Sequence, residues 1–202
     1  MGSPASLLAE PRTHRGLHVR AGAGAVYVDQ STETEPVTTL PMGFDPREVG
    51  LSGGGLSLLL SVGGTPVDGL IVGGGYELHR IFSPRVEVGE TPSDSDEAAN
   101  VHLFGVLADW YPWSGWGFHL GGKIGLALMS SRGPEAEDGR ARGPGAAAWF
   151  GYSPWVADDW MIGGQLRLLA AMATNRMDVE QVEVEFDSHA MAAALLVTVA
   201  YQ

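Results

Sequence analysis

Seven polar side chains interrupt stretches that are otherwise apolar or small: Arg20, Glu77, His79, His119, Lys123, Gln165 and Arg167. Acid, base and imidazole gathered in one interior have two uses. They pair, because an unpaired buried charge is costly, or they line a path for protons or ions. Glu77 and Lys123 lie on segments that are not neighbours, so they meet only across a narrow interior. The expectation is a structural ion-pair network filling a lumen, with a proton or ion path as the alternative.

Nucleophilic catalysis needs a Ser within reach of a His base. Ser188 and His189 are adjacent, but successive strand residues point to opposite faces. Ser130 and Ser131 have no His close in sequence. No catalytic residue is assigned, and the expectation is that the chain is not an enzyme. The absence of Cys removes disulfides, thiolate metal sites and Cys nucleophiles. Asp94, Asp96 and Glu97 form one acidic cluster, and Asp178, Glu180, Glu183, Glu185 and Asp187 form another. Neither has the spacing of an EF-hand loop, so both read as solvated loop, and no metal or cofactor is expected. The alternation from Glu183 to Asp187 reads as a strand extending above a membrane. The Gly triplets 53–55 and 73–75 precede no helix and no Gly-Lys-Ser/Thr, so they are not phosphate loops. In strands they mark bends and tight packing.

The elements that must hold these groups alternate with period two. Segment 116–129 sets Trp116, Phe118, Leu120, Ile124, Leu126 and Leu128 against Gly117, His119, Gly121, Lys123, Gly125 and Ala127. Segments 50–62, 69–80, 160–173 and 188–201 repeat the design. Segments 17–29, 98–111 and 145–154 are less clean. In 98–111 both faces are bulky, and Phe104 and Trp110 are assigned outward with Asp109 inward. Eight strands result. Their connections alternate long and short, the short ones being 63–68, 112–115 and 155–159. That is the pattern of an eight-stranded antiparallel up-and-down barrel, with short turns and both termini at one end.

At 202 residues one domain is expected, divided as an N-terminal extension, 1–16, and a barrel, 17–202. No apolar run reaches the length of a transmembrane helix. Residues 1–15 lack the apolar core of a secretory signal, so any export signal is expected to be missing from this sequence. The formal net charge is −12, with a single Lys. Nucleic acid is therefore excluded as a partner. The stretches 30–49, 81–97, 130–143 and 174–187 hold 17 of the 24 acids, so the loops at the long-loop end are acidic.

Which face is outside decides the environment. A soluble barrel of lipocalin type buries its large apolar residues, whereas a membrane barrel turns them to lipid and keeps small and polar residues within. Here the second face is Gly, Ala and Ser with an occasional charge, too few charges for a water-facing wall. A transmembrane barrel is therefore the expectation. A soluble ligand-binding barrel and a lipid-modifying enzyme are the alternatives. Trp110, Trp113, Trp116, Trp155 and Trp160 flank two short turns and, with Tyr201, form an expected aromatic girdle at the periplasmic rim.

Three segments carry a resemblance: Ala108-Asp109-Trp110-Tyr111-Pro112, the run from Gly117 to Leu126, and Leu195 to Tyr201. On these the chain resembles the small eight-stranded bacterial outer-membrane β-barrel family, over residues 17–202 at the level of pattern. The resemblance implies a porin-like bacterial outer-membrane protein with a structural or surface-interaction role. It implies outer-membrane lipid as surroundings, a monomer, and contact with the barrel-assembly machinery during biogenesis. In that family an apolar last strand ending in an aromatic residue serves as the assembly signal; here Gln202 follows Tyr201. A peptidoglycan-binding domain after the barrel is not expected.

Overall fold

The structure, a computed structural model, describes residues 16–34, 49–88, 91–94, 98–113, 115–131, 139–179 and 182–202. The described residues form ten strands: β1 (Leu17–Thr34), β2 (Val49–Val67), β3 (Leu70–Ile81), β4 (Arg85–Val88), β5 (Thr91–Asp94), β6 (Ala99–Trp110), β7 (Phe118–Ser131), β8 (Gly139–Tyr152), β9 (Trp160–Val179) and β10 (Val182–Tyr201). Eight of them run β1-β2-β3-β6-β7-β8-β9-β10 and close when β10 pairs with β1. Every pairing is antiparallel, including the closing one from Val19↔Tyr201 to Thr34↔Phe186. Closure leaves no sheet edge within the wall, the condition for crossing lipid with strands.

The 116–129 segment settles which face is outside. Phe118, Leu120, Ile124 and Leu126 are 45–65% exposed, while His119 and Lys123 are buried at 0% and 2%. The same holds for Leu56, Leu58, Leu60 and Val62 on β2 and for Met191, Leu195, Val197 and Val199 on β10. A water-soluble barrel requires the reverse orientation. Such a wall suits a bilayer, where each apolar side chain kept from water contributes about 1.5–3 kcal/mol.

Several details differ from the sequence reading, among them the stretches 174–187 and 139–143, read as loop, which are mostly strand because β8, β9 and β10 keep pairing beyond the apolar band. The segment 63–68 is not a loop: β2 runs to Val67, and the turn is only Asp68-Gly69, with Gly69 at φ 78°. An Asp-Gly pair suits a two-residue hairpin because its second residue takes positive φ. The stretch 81–97 contains the β4–β5 hairpin. Its β4 pairs with Val49–Ser52 of β2, beyond the last β2–β3 pair at Gly55↔Ile81. Since β2 outruns β3, its free edge takes a new partner.

At 20 residues each, β9 and β10 are longer than an apolar band requires. Such strands rise about 50 Å at a tilt near 40°, against a band of about 25 Å. They include the alternating Glu183–Asp187 segment, which is strand paired to β9. Of the acidic clusters, Asp96, Glu97 and Glu180 lie outside the described residues, as do residues 1–15 and 35–48.

Inside, the barrel is divided by depth. Toward the long-loop end, Val28, Ile81, Val101, Leu103, Met129 and Leu169 pack as an apolar core. This is why 98–111 alternates poorly: Val101 and Leu103 face a dry interior, while Phe104 and Val106 face out. Below this core lie the polar groups. At the short-turn end, Ile71, Tyr111, Met161 and Ala200 close the interior, with Trp155 against them.

Candidate functional site: the polar interior of the barrel

All seven polar residues singled out by sequence are inside the barrel and at most 3% exposed. Period two explains this: each shares a face with Gly, Ala or Ser, which leave room for long side chains. Lys123 on β7 faces Leu107 on β6, and its Nζ reaches the carbonyl of Leu103, 3.3 Å away. The inward position between Leu107 and Leu103 is Gly105, so no side chain obstructs that course.

Glu77 on β3 is the first anchor. Its Oε1 lies 2.7 Å from Lys123 Nζ and also accepts a bond from Arg167 Nη2 on β9. His79 Nε2 is 3.6 Å from its Oε2. Arg167 donates through Nη1 to Gln165 Oε1 at 3.0 Å, and its guanidinium stands 4.0 Å from the centre of the Trp149 ring. A cation over an indole face gains most when water is excluded.

Asp109 on β6 is the second anchor. Arg20 Nη1 on β1 donates to Asp109 Oδ2 at 2.5 Å, and Arg20 Nη2 donates to the Tyr111 hydroxyl. Asp109 Oδ1 accepts from Trp149 Nε1 at 2.9 Å and lies 3.0 Å from His119 Nδ1. The rings of Tyr111 and His119 stack at 4.9 Å. Gln165 Nε2 is 3.5 Å from His119 Nε2, so Gln165 links the two anchors. One polar chain thus runs Lys123–Glu77–Arg167–Gln165–His119–Asp109–Arg20–Tyr111 across strands that are mostly not neighbours. It contains three basic groups, Arg20, Lys123 and Arg167, and two carboxylates.

Asp109, Tyr111, Trp149 and Ser153 are the members that sequence reasoning left out of the network. Alternation marked Asp109 as inward, and Trp149 sits between inward Ala147 and Gly151. Ser153 lies past the end of β8, beyond the reach of a strand pattern.

Ser153 also completes an unexpected arrangement. Its Oγ is 3.3 Å from His119 Nε2, and His119 Nδ1 faces Asp109. This is the order of a nucleophile, base and orienting acid. The surroundings fit a structural part instead. Ser153 is 1% exposed, leaving an ester carbonyl no approach, and Asp109 already serves Arg20 and Trp149.

The aromatic residues sort differently. Trp110, Trp113, Trp116, Trp160 and Tyr201 lie on the outer surface around the short turns, at 39–72% exposure. Trp160 meets Tyr201 edge-on at 5.3 Å. Trp155 is half-buried against the cluster that closes the barrel end, so its indole is spent on that closure. Trp149, the sixth, is inside.

No family model and no curated protein sequence matches the chain. Solved structures do. The outer membrane protein OprG from Pseudomonas aeruginosa aligns at TM-score 0.56 and 12% identity, over 96% of this chain and 100% of that one. The outer membrane protein AlkL, determined in DMPC lipid bilayers, aligns at TM-score 0.55 and 11% identity, over 100% and 96%. Neisserial surface protein A aligns at TM-score 0.51 and 16% identity, over 92% and 96%. At these identities the likeness is one of fold.

Proposed function

From its fold, that of the small bacterial outer-membrane barrels, we infer that this chain is a non-enzymatic structural or surface-interaction protein of that membrane. Its lumen is closed by its own side chains. The apolar wall lies in outer-membrane lipid, and the protein works as a monomer, delivered by the barrel-assembly machinery. The short turns face the periplasm, and the acidic loops face outward as the contact surface.

The observation that supports a closed lumen is the polar chain from β7 to β1, roofed by the apolar core of Val101, Leu103 and Met129. An eight-stranded barrel has an interior just wide enough for its side chains. Ion pairs that cross it leave no continuous water column.

Two measurements test this. The protein folded in detergent should migrate faster on an unboiled gel than after boiling. In planar bilayers it should give no stepwise open-pore conductance. Steady unitary conductance of the wild-type protein would overturn the closed-lumen reading. Solubility as a monomer in plain buffer would overturn the membrane reading.

A further inference from the structure

We propose that the barrel interior binds one small monatomic anion, a halide such as chloride, between Arg20 and Arg167. The inference rests on the reading of the lumen as closed by its own side chains, and it adds a ligand to that interior.

The first observation is a pair of spare donors. Arg20 and Arg167 are each 3% exposed. Arg20 commits Nη1 to Asp109 and Nη2 to the Tyr111 hydroxyl. Arg167 commits Nη2 to Glu77 and Nη1 to Gln165. The Nε of each is buried without a hydrogen-bond partner among the described residues. A buried N–H left unmade is costly, and more so on a charged group.

The second observation is space. Arg20 and Arg167 come from β1 and β9 and belong to different anchors of the network, yet both line one cavity. Leu59 and Leu107 give it apolar walls, and every residue that lines it is at most 8% exposed. The space open to the centre of a water-sized sphere is about 10 Å³. That is room for a single small occupant and none for phosphate, sulfate or a carboxylate.

The third observation is charge. With the histidines neutral, the buried side chains among the described residues supply three basic groups, Arg20, Lys123 and Arg167, against two carboxylates, Glu77 and Asp109. One positive charge is left over in a dry interior, where an uncompensated charge is costly. Lys123 is held by Glu77 Oε1 at 2.7 Å and does not border the cavity. The guanidinium groups stay charged in any case. Asp109 also borders the cavity, but its Oδ2 is taken by Arg20 and its Oδ1 by Trp149 Nε1. A water molecule would accept from the spare donors without answering the charge. A halide does both, and charge-assisted bonds are the stronger kind.

The test uses the folded full chain. Crystals grown from detergent in bromide should show one anomalous peak between Arg20 and Arg167. Protein refolded into vesicles in chloride should unfold at higher urea than in gluconate of equal ionic strength, which holds screening constant. The midpoint should climb with the logarithm of chloride concentration. Ser61→Leu fills the cavity from a residue that faces Arg20 across the β1–β2 pair, and should abolish the chloride effect. Lys123→Met balances bases and acids from outside the cavity and should shrink that effect; it serves as the comparison if Ser61→Leu loses the unboiled gel shift. An interior without bromide, or equal midpoints in chloride and gluconate, would overturn the proposal; either is the result if water or an uncharged Lys123 settles the interior. A chloride effect undiminished in both folded variants would overturn it too. Open-pore conductance in planar bilayers would remove the closed lumen and the site together, whereas a silent barrel without halide dependence removes the site alone.

Discussion

Lys123 Nζ lies 2.7 Å from Glu77 Oε1 although β7 and β3 are separated by β6. Glu77 is the sole carboxylate that meets both Lys123 and Arg167 among the described residues. Removing it leaves two cations facing each other in a buried interior. Glu77→Gln should therefore destabilise the barrel by about 3–5 kcal/mol, the cost of breaking a buried pair from one side. Lys123→Met should cost less, because Arg167 still satisfies Glu77. Urea unfolding in lipid vesicles, followed by the unboiled gel shift, measures both. A Glu77→Gln barrel as stable as wild type would remove the network from the account of stability.

The two faces of one strand should respond oppositely to charge. Ile124, 65% exposed in the middle of β7, lies next to buried Lys123. Ile124→Arg should cost about 2–4 kcal/mol if that face meets the bilayer midplane. Val67→Arg, beside the Asp68-Gly69 turn at the rim, should cost about 0–1 kcal/mol. Equal costs in vesicle-folded protein would mean that the wall does not sample lipid by depth.

The wall was legible because period two is a local property. The five clean strands announce their own faces, and on β7 the side that carries Leu120 and Ile124 differs in kind from the side that carries His119 and Lys123. The turn is Asp68-Gly69, whereas the sequence reading spreads it over 63–68 and counts Gly69 into the next strand, because Gly63 and Gly64 resemble a loop. Which inward groups meet depends on register summed around the barrel. The join of Gln165 to His119, or of Arg20 to Asp109, follows from no spacing in the chain. The β4–β5 hairpin was missed for a related reason: β4 pairs because β2 outruns β3, a difference in length that no single segment contains.

Ser153, His119 and Asp109 give the barrel a sharp test of whether a triad-like arrangement is chemistry or structure. Ser153 donates or accepts a single side-chain bond at 3.3 Å, while His119 joins Asp109 and stacks on Tyr111. Ser153→Ala should lower stability by only about 0.5–1.5 kcal/mol, the net worth of one hydrogen bond. His119→Ala should cost more, because it removes a buried ring and leaves Asp109 with fewer partners. Neither variant should change the release of p-nitrophenol from acyl esters by the folded protein. An ester hydrolysis rate above background that vanishes in Ser153→Ala would establish a nucleophile.

Gly121 and Trp149 face each other across the β7–β8 pair. A Cβ on Gly121 would fall 2.5 Å from Trp149 Cζ2 and 2.6 Å from the Ala108 carbonyl oxygen. The indole therefore occupies the space that Gly121 leaves, and from there it donates to Asp109 and lies under Arg167. Gly121→Ala should push the ring aside, strain both anchors of the network, and cost about 1–3 kcal/mol. Trp149→Phe removes the bond to Asp109 and, being smaller, should make room for the new methyl group. The double variant should then cost less than the two single costs added together, by about 0.5–3 kcal/mol. Strict additivity in vesicle unfolding would show that Gly121 serves only the backbone approach to Ala108. A coupling of that size would assign this glycine to the seating of the Trp149 side chain.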